Sequence, residues 1–506
     1  MKLNLTVLAL FLFIFVSDGL PNTNSNVSSA RHSTVGDKVV TEGGDLTITT
    51  IDQKRGYGSG EHYDGDIRSP KSASFSPDGK KLYVNSLEGC KTVVYDMATR
   101  KKIKVIDHSF ESGEGPLWLA PSGFYEFTHY PDGAKKPFLG KPVEEAITKN
   151  GKYMFVPYYR RSFDINAQDP SALAIIDAEK DEIIMMTETG PLPKMVALSN
   201  NQKLLAITHW GDNTVGFLDI SDSNPKNWKH LSPVTISKKL NLNYSLTKSV
   251  DRDSGSGLAL RGTVFLPGDS LLLVSGMGGA LAVIDVNKRE WIGMVPQLSQ
   301  VRHITMKGGN LFFSRNSSGE VLTLPVDSMV SAIQKQRSIG RDFRVNGLRS
   351  VKVGGGARTL KVSPEGKFIF VACNTSSALY IVRTEDMKVL GHIAADSFPV
   401  GLDISPDGKT IVTTSQGRKG KGGGNAVNFF NVDYKVEEKP EIYNEQDNIE
   451  ENSIIENPID SDSEKNDTVS KDGNLYLILG LCILGILIIA GVVYYVIKKK
   501  NDNKTM

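Results

Sequence analysis

Along most of this chain, short apolar stretches alternate with turn-forming residues, and one such segment keeps returning. Phe75-Ser-Pro-Asp-Gly-Lys-Lys-Leu-Tyr-Val-Asn85 reappears as Val362-Ser-Pro-Glu-Gly-Lys-Phe-Ile-Phe-Val-Ala372 and as Ile404-Ser-Pro-Asp-Gly-Lys-Thr-Ile-Val-Thr-Thr414. In each copy an apolar strand ends at Ser-Pro, which cannot continue a paired ladder. Asp-Gly or Glu-Gly then supplies a tight turn, and an alternating strand runs back, so the pattern predicts a β-hairpin. A third strand closes on Asp at Val93-Val-Tyr-Asp96, Ala174-Ile-Ile-Asp177, Gly216-Phe-Leu-Asp219 and Ala282-Val-Ile-Asp285. A fourth follows a further turn, as in Lys102-Ile-Lys-Val-Ile106. Four antiparallel strands every 40 to 50 residues or so make a propeller blade.

The units start near Lys71, Val143, Lys194, Arg261, Arg302, Arg358 and Val400. That spacing predicts an all-β, seven-bladed β-propeller over residues 45–434. The last unit supplies only three strands, while the spare segment Asp45-Leu-Thr-Ile-Thr-Thr-Ile51 precedes the first. Pairing of that spare strand with the last blade is expected to close the ring, because closure removes the sheet edges an open array would expose. Blade five is degenerate: Leu324-Pro-Val-Asp327 replaces the usual third-strand ending, and a helix-like stretch follows it. The repeat segments resemble the YVTN-type β-propeller family, which is related to surface-layer and quinoprotein-like propellers. The resemblance implies the fold more firmly than an activity, since propellers host unrelated chemistries.

The ends of the chain change the picture. Met1-Lys2, an apolar run over 3–16 and Ser17-Asp-Gly19 read as a signal peptide spanning 1–19, followed by a linker over 20–44. Residues 475–497 carry no charge, and a helix of that length, about 34 Å, spans a bilayer. The predicted transmembrane helix, 474–497, precedes Lys498-Lys-Lys500, so residues 498–506 are expected to be a basic cytoplasmic tail. Between propeller and span, 435–473 is acidic and nearly free of aromatic residues, which predicts an extended stalk. The expected topology is a single-pass cell-surface protein with the propeller outside, or in a periplasm. Net charge is +2 over 506 residues, so the acidic stalk requires a compensating cationic excess in the folded part. Cys90 and Cys373 belong to blades one and six, a separation that argues against a disulfide between them.

Aligning the units places the seven start residues at one mouth of the central channel, and Lys71, Lys194, Arg261, Arg302 and Arg358 are cationic. Like charges around one funnel repel unless anions compensate. That compensation is either a ligand or an internal carboxylate, with Glu144 the leading candidate and Asp212 or Asp403 in reserve. The loops between second and third strands add Tyr158, Tyr159, Arg160, Arg161, His209, Trp210 and Arg315 to the same face. Guanidinium forks with aromatic walls suit carboxylates, phosphates and sugar rings.

No His-Glu-x-x-His, paired Cys-x-x-Cys or Gly-x-Ser-x-Gly motif is present. His209, His303 and Glu144 are the weak catalytic candidates. The expected function is a membrane-anchored binding module for an anionic small molecule, glycan or protein partner, with no metal and no cofactor required. A propeller enzyme, as the resemblance permits, is the first alternative: a lactone hydrolase needing a divalent metal, or an oxidoreductase using a quinone. A structural cell-surface protein is the second. Nucleic acid is an unsuitable partner, because the cations form a funnel rather than a groove-sized stripe.

Overall fold

The computed structural model describes residues 32–111, 117–125, 137–162, 164, 167, 169–240, 255, 257–417 and 424–435. The expected signal peptide, transmembrane helix and basic tail lie outside these residues, as does all but the first position of the expected stalk. Among the described residues no helix is long and apolar enough to cross a membrane.

Seven antiparallel sheets surround one channel. From blade three to blade seven the innermost strands pack side by side, and that of blade seven packs against that of blade one. Blade one, Pro70–Phe75, Lys81–Ser86, Lys91–Asp96 and Lys101–Asp107, shows the plain pattern of inner strand, return strand and two outer strands. The hairpin turn of the repeat is built by side chains as well as backbone. Asp78 Oδ1 accepts from Lys80 N at 3.1 Å and from Ser76 Oγ at 2.6 Å, and Gly79 adopts φ 73°. Thr148-Lys-Asn-Gly151 in blade two and Ser199-Asn-Asn-Gln202 in blade three close the same way through Asn150 and Asn201. An Asx side chain therefore supplies the turn even where Ser-Pro is missing.

Blade seven joins both ends of the described chain. Pro399–Ile404, Thr410–Ser415 and Ala426–Tyr434 come from its end, and Leu46–Arg55 pairs along Ala426–Tyr434 from Leu46↔Tyr434 to Arg55↔Ala426. One part of the expected linker is not a linker: Lys38–Val40 pairs with the closing strand and forms a fifth, outermost strand. Its residues alternate poorly in polarity, and only a partner strand already in place holds them extended.

Apolar faces of neighbouring sheets meet between blades. Leu82, Val84, Val93 and Tyr95 of blade one pack with Val412, Val427 and Phe429 of blade seven, all buried. Each such aliphatic or aromatic side chain contributes about 1.5–3 kcal/mol, which stabilises the seam without a covalent link. Cys90 and Cys373 are free thiols. In blade five the helix-like stretch is a helix, Val326–Gln336, inserted before the fourth strand, Arg349–Lys352. Blade two is irregular as well. Its inner strand is split into Phe138–Pro142 and Ala146–Ile147, leaving 143–145 outside regular pairing.

Candidate functional site

Six inner strands enter the channel through one shared backbone device. The residue before the strand is left-handed in each: Ser69 (φ 52°), Leu192 (φ 51°), Ala259 (φ 52°), Gln300 (φ 56°), Gly356 (φ 80°) and Phe398 (φ 60°). A β-bulge follows at once, between Pro70 and Ser72 in blade one and at the matching positions of blades three to seven. A bulge re-aims a side chain, and non-glycine residues at positive φ cost about 1–2 kcal/mol each. The residue so displaced is Lys71, Lys194, Arg261, Arg302, Arg358 or Val400. The cationic column read from the alignment is thus a column of bulge residues.

Lys194, Arg261, Arg302 and Arg358 line one cavity with Glu144, His303, Met195, Gly262 and Thr359. The enclosed volume there is about 10 Å³. Lys71 sits at its edge, 6% exposed, with Nζ 3.5 Å from Glu144 Oε1 and no hydrogen-bond acceptor. Burial and then the Arg358 charge hold its ammonium pKa well below the usual lysine range; Glu144 opposes this, while Arg261 and Arg302 add to it. Arg358, also 6% exposed, is pushed down to about 9 by burial and then by Arg261, again opposed by Glu144. These cations therefore feel one another. Glu144 answers part of the charge as an internal carboxylate, and it is the carboxylate among the described residues that line the cavity.

Aromatic faces hold several of the cations in place. Lys194 Nζ lies 3.6 Å from the Tyr159 ring centroid and 4.9 Å from that of Trp210. Arg261 lies 5.0 Å from Trp210, and Arg358 lies 6.0 Å from Phe398. Such contacts contribute about 0.5–2 kcal/mol each and leave the positive charge in place. Arg160 stacks on Tyr159 at 4.3 Å, so it borders the same belt.

Four of the expected mouth residues are elsewhere, which corrects their placement. Tyr158 is fully buried in the core between blades one and two and bonds His108 at 2.8 Å. Arg161, 1% exposed, donates to Pro170 O and stacks on Phe138 at 5.6 Å. Arg315 is spent on Ser299 O at 3.0 Å, Gln297 O at 2.9 Å and Glu320 at 3.0 Å, tying blade five to the outer strand of blade four. His209, fully buried, accepts from Gly190 N at 3.1 Å through Nε2 and meets Thr214 Oγ1 at 2.8 Å through Nδ1. The pleat is the reason, because successive side chains on a strand point to opposite faces. Tyr158, within Tyr153–Arg161, and His209, at the end of Leu204–His209, face the blade interior; Tyr159 and Trp210, one residue later, face the cations. The next-residue positions Leu87, Met277, Asn316, Asn374 and Gln416 belong to the same column. Counting one place past each second strand would have found it in the sequence.

Neither histidine is equipped to hold a proton. Burial pushes His209 down to about 3, assisted by the His230 and Lys239 charges. His303, the imidazole that lines the cavity, is likewise down to about 3 through burial and the Lys361 and Arg261 charges. His209→Ala is expected to cost about 2–4 kcal/mol in denaturant unfolding, since it leaves a cavity and takes the acceptor from the buried Gly190 N–H, while Thr214 keeps Asp212. Anion affinity should not change. Lost affinity at unchanged stability would instead put His209 in the site.

No protein-family model matches the chain, and no curated protein matches it. The YVTN-type resemblance accordingly rests on the repeat segments themselves. Among solved structures, the Kuenenia stuttgartiensis hydrazine synthase is similar, with 13% identity, a TM-score of 0.48 and coverage of 71% of this chain and 96% of that one. The β-propeller domain of Myceliophteria thermophila Cps50 (Swd1) is similar with 12% identity, a TM-score of 0.48 and coverage of 71% and 96%. Both are likenesses of fold alone.

Proposed function

We propose that this chain is a membrane-tethered binding module on the cell surface, of the YVTN type, whose propeller captures an oxyanion group at the cationic mouth of its channel. The observation that carries the reading is the gathering of Lys194, Arg261, Arg302 and Arg358 from four blades around one cavity, with Glu144 among its described lining residues. Assembled cations that depress one another's proton affinity are relieved by a negative ligand. Guanidinium forks suit sulfate, phosphate and carboxylate oxygens. The enclosed volume, about 10 Å³, is about what one water needs and far below the range of about 300–1,000 Å³ that encloses drug-sized ligands, so a ligand group sits at the opening rather than deep inside. The captured group is therefore a small oxyanion, or one acidic group projecting from a glycan or protein.

Tethering is supported by the uncharged run 475–497 with its following lysines. Ala426 pairs with Ser415 at the mouth end, whereas Tyr434 bonds Gly408 O in the hairpin turn at the opposite end, so the described chain leaves the ring on the face opposite the cations.

Sulfate titrated by calorimetry into the purified full-length chain in detergent tests this. One sulfate should bind per chain, with affinity falling as chloride rises. Absence of heat and of thermal protection at millimolar sulfate would sink the proposal.

A further inference from the structure

The channel holds a carboxyl group that does not line the cavity. Glu145 follows Glu144 in the irregular stretch of blade two, and its Oε2 accepts from Asn85 Nδ2 at 2.6 Å and from the Ser72 hydroxyl. Behind Asn85, hydrogen bonds cross blade one without a break. Thr92 Oγ1 donates to Asn85 Oδ1 at 2.6 Å, His108 Nε2 meets Thr92 Oγ1 at 2.8 Å, and Tyr158 Oη meets His108 Nδ1 at 2.8 Å.

Every direction in this chain of bonds is determined. The single hydroxyl hydrogen of Thr92 is committed to Asn85, so His108 Nε2 must be the N–H that donates to Thr92. Burial pushes His108 down to about 3, so the ring is neutral, Nδ1 accepts, and Tyr158 donates. Each donor therefore points inward, toward Glu145. In the ionised carboxyl Oε2 is occupied as an acceptor by Asn85 and Ser72, while Oε1 is buried with no hydrogen-bond partner. Ser72 Oγ also lies 2.6 Å from Val143 O; with its single hydrogen given to that carbonyl, a neutral Glu145 donates from Oε2 to Ser72 Oγ, which leaves no buried donor without an acceptor.

The surroundings of Glu145 come from five elements. Ser72 and Ser74 face it from the inner strand of blade one, and Asn85 from the return strand. Glu144, paired with Lys71, stands on its own segment. Lys361 of blade six is paired with Asp403 of blade seven at 2.9 Å, and both act on it electrostatically.

Resting on the anion-site reading above, we propose that Glu145 couples anion capture to a proton: its neutral form admits the anion and its ionised form expels it. Burial, with the Glu144 and Asp403 charges behind it, raises the carboxyl to about 8, against the Ser72 and Ser74 hydroxyls that pull it down. Below that pH the group adds no charge to the channel. Above it, a second carboxylate stands next to Glu144, which lines the cavity, and weakens the positive field an anion meets there. By reciprocity, a bound anion raises the Glu145 pKa, so capture near pH 8–9 takes up a proton.

Sulfate, which carries no proton in this range, is the probe. Calorimetry on the full-length chain between pH 6.5 and 9.5, in two buffers of different ionisation enthalpy, reads affinity and proton uptake together. Wild-type affinity should be level below about pH 7.5 and fall by up to about tenfold per pH unit above 8, with up to one proton taken up per anion. Glu145→Gln should flatten the profile between pH 7 and 9 and abolish the uptake. Thr92→Val, remote from the cavity, frees the Asn85 amide that stabilises the carboxylate and should move the midpoint upward. An equal fall in Glu145→Gln, or wild-type binding without proton uptake, overturns the coupling while leaving the anion site intact. No sulfate binding at any pH overturns the site and the coupling together.

Discussion

Arg358→Met is expected to weaken sulfate capture by about 10- to 100-fold while leaving the melting temperature unchanged or raised. A charge-assisted hydrogen bond contributes about 1.5–3 kcal/mol, and each 1.4 kcal/mol or so is a factor of ten in affinity. The stability half of the prediction has the opposite sign because Arg358 is buried, and burial and then the Arg261 charge already lower its proton affinity, while its own charge lowers that of Lys71. Replacing a buried cation with an apolar side chain of similar length is often neutral or stabilising. Methionine also retains packing against Phe398. Calorimetric affinity and a thermal melt on the same samples check both halves. A large fall in melting temperature with unchanged affinity would make Arg358 a structural strut and the cationic ring a self-contained network.

The second large effect concerns closure. Ile48→Asp is expected to cost more than about 4 kcal/mol, because Ile48 is fully buried and packed among Phe368, Phe370, Leu379, Ile381 and Val432. Against a total stability of about 5–15 kcal/mol for a typical domain, that loss should open the ring. Ala426–Tyr434 would then be an exposed edge, and exposed edges pair with other chains. Size-exclusion chromatography with light scattering should show higher oligomers, and the melt should lose its single sharp transition. Val40→Asp, 58% exposed on the outermost strand Lys38–Val40 that lies outside the ring closure, should shift the melt little. A monomeric Ile48→Asp chain with a near-native melt would mean that the three remaining strands hold blade seven unaided.

Much of the architecture was legible because blades are local objects. Strand, turn and return strand lie within about fifteen residues of one another, and Ser-Pro-Asp-Gly sets the turn through its own side chains. The cationic column was legible for the same reason: a fixed distance from a recognisable turn carries Lys71, Lys194, Arg261, Arg302 and Arg358 into equivalent places. Legibility failed where one residue of phase mattered. Tyr158 and Tyr159 are chemically alike in the sequence, yet the pleat sends one into the core and the other against Lys194. It failed again in the channel. Glu145 meets Ser72, Asn85, Lys361 and Asp403 from other blades, and no local pattern announces that meeting. Asn374 of the sequon Asn374-Thr-Ser is 6% exposed, too enclosed to carry a glycan in the folded state.

The sequence by itself determined the unit of construction, the number of units and the spacing that aligns five cations, since all of these follow from residues close together along the chain. Only the tertiary structure decided which side chains share a space. Bulges after left-handed residues turn the cations inward, and ring closure brings distant blades to within hydrogen-bond reach. Distance through space sets Coulomb and burial energies, so the pairing of Glu144 with Lys71 and the raised proton affinity of Glu145 exist only once the circle is shut.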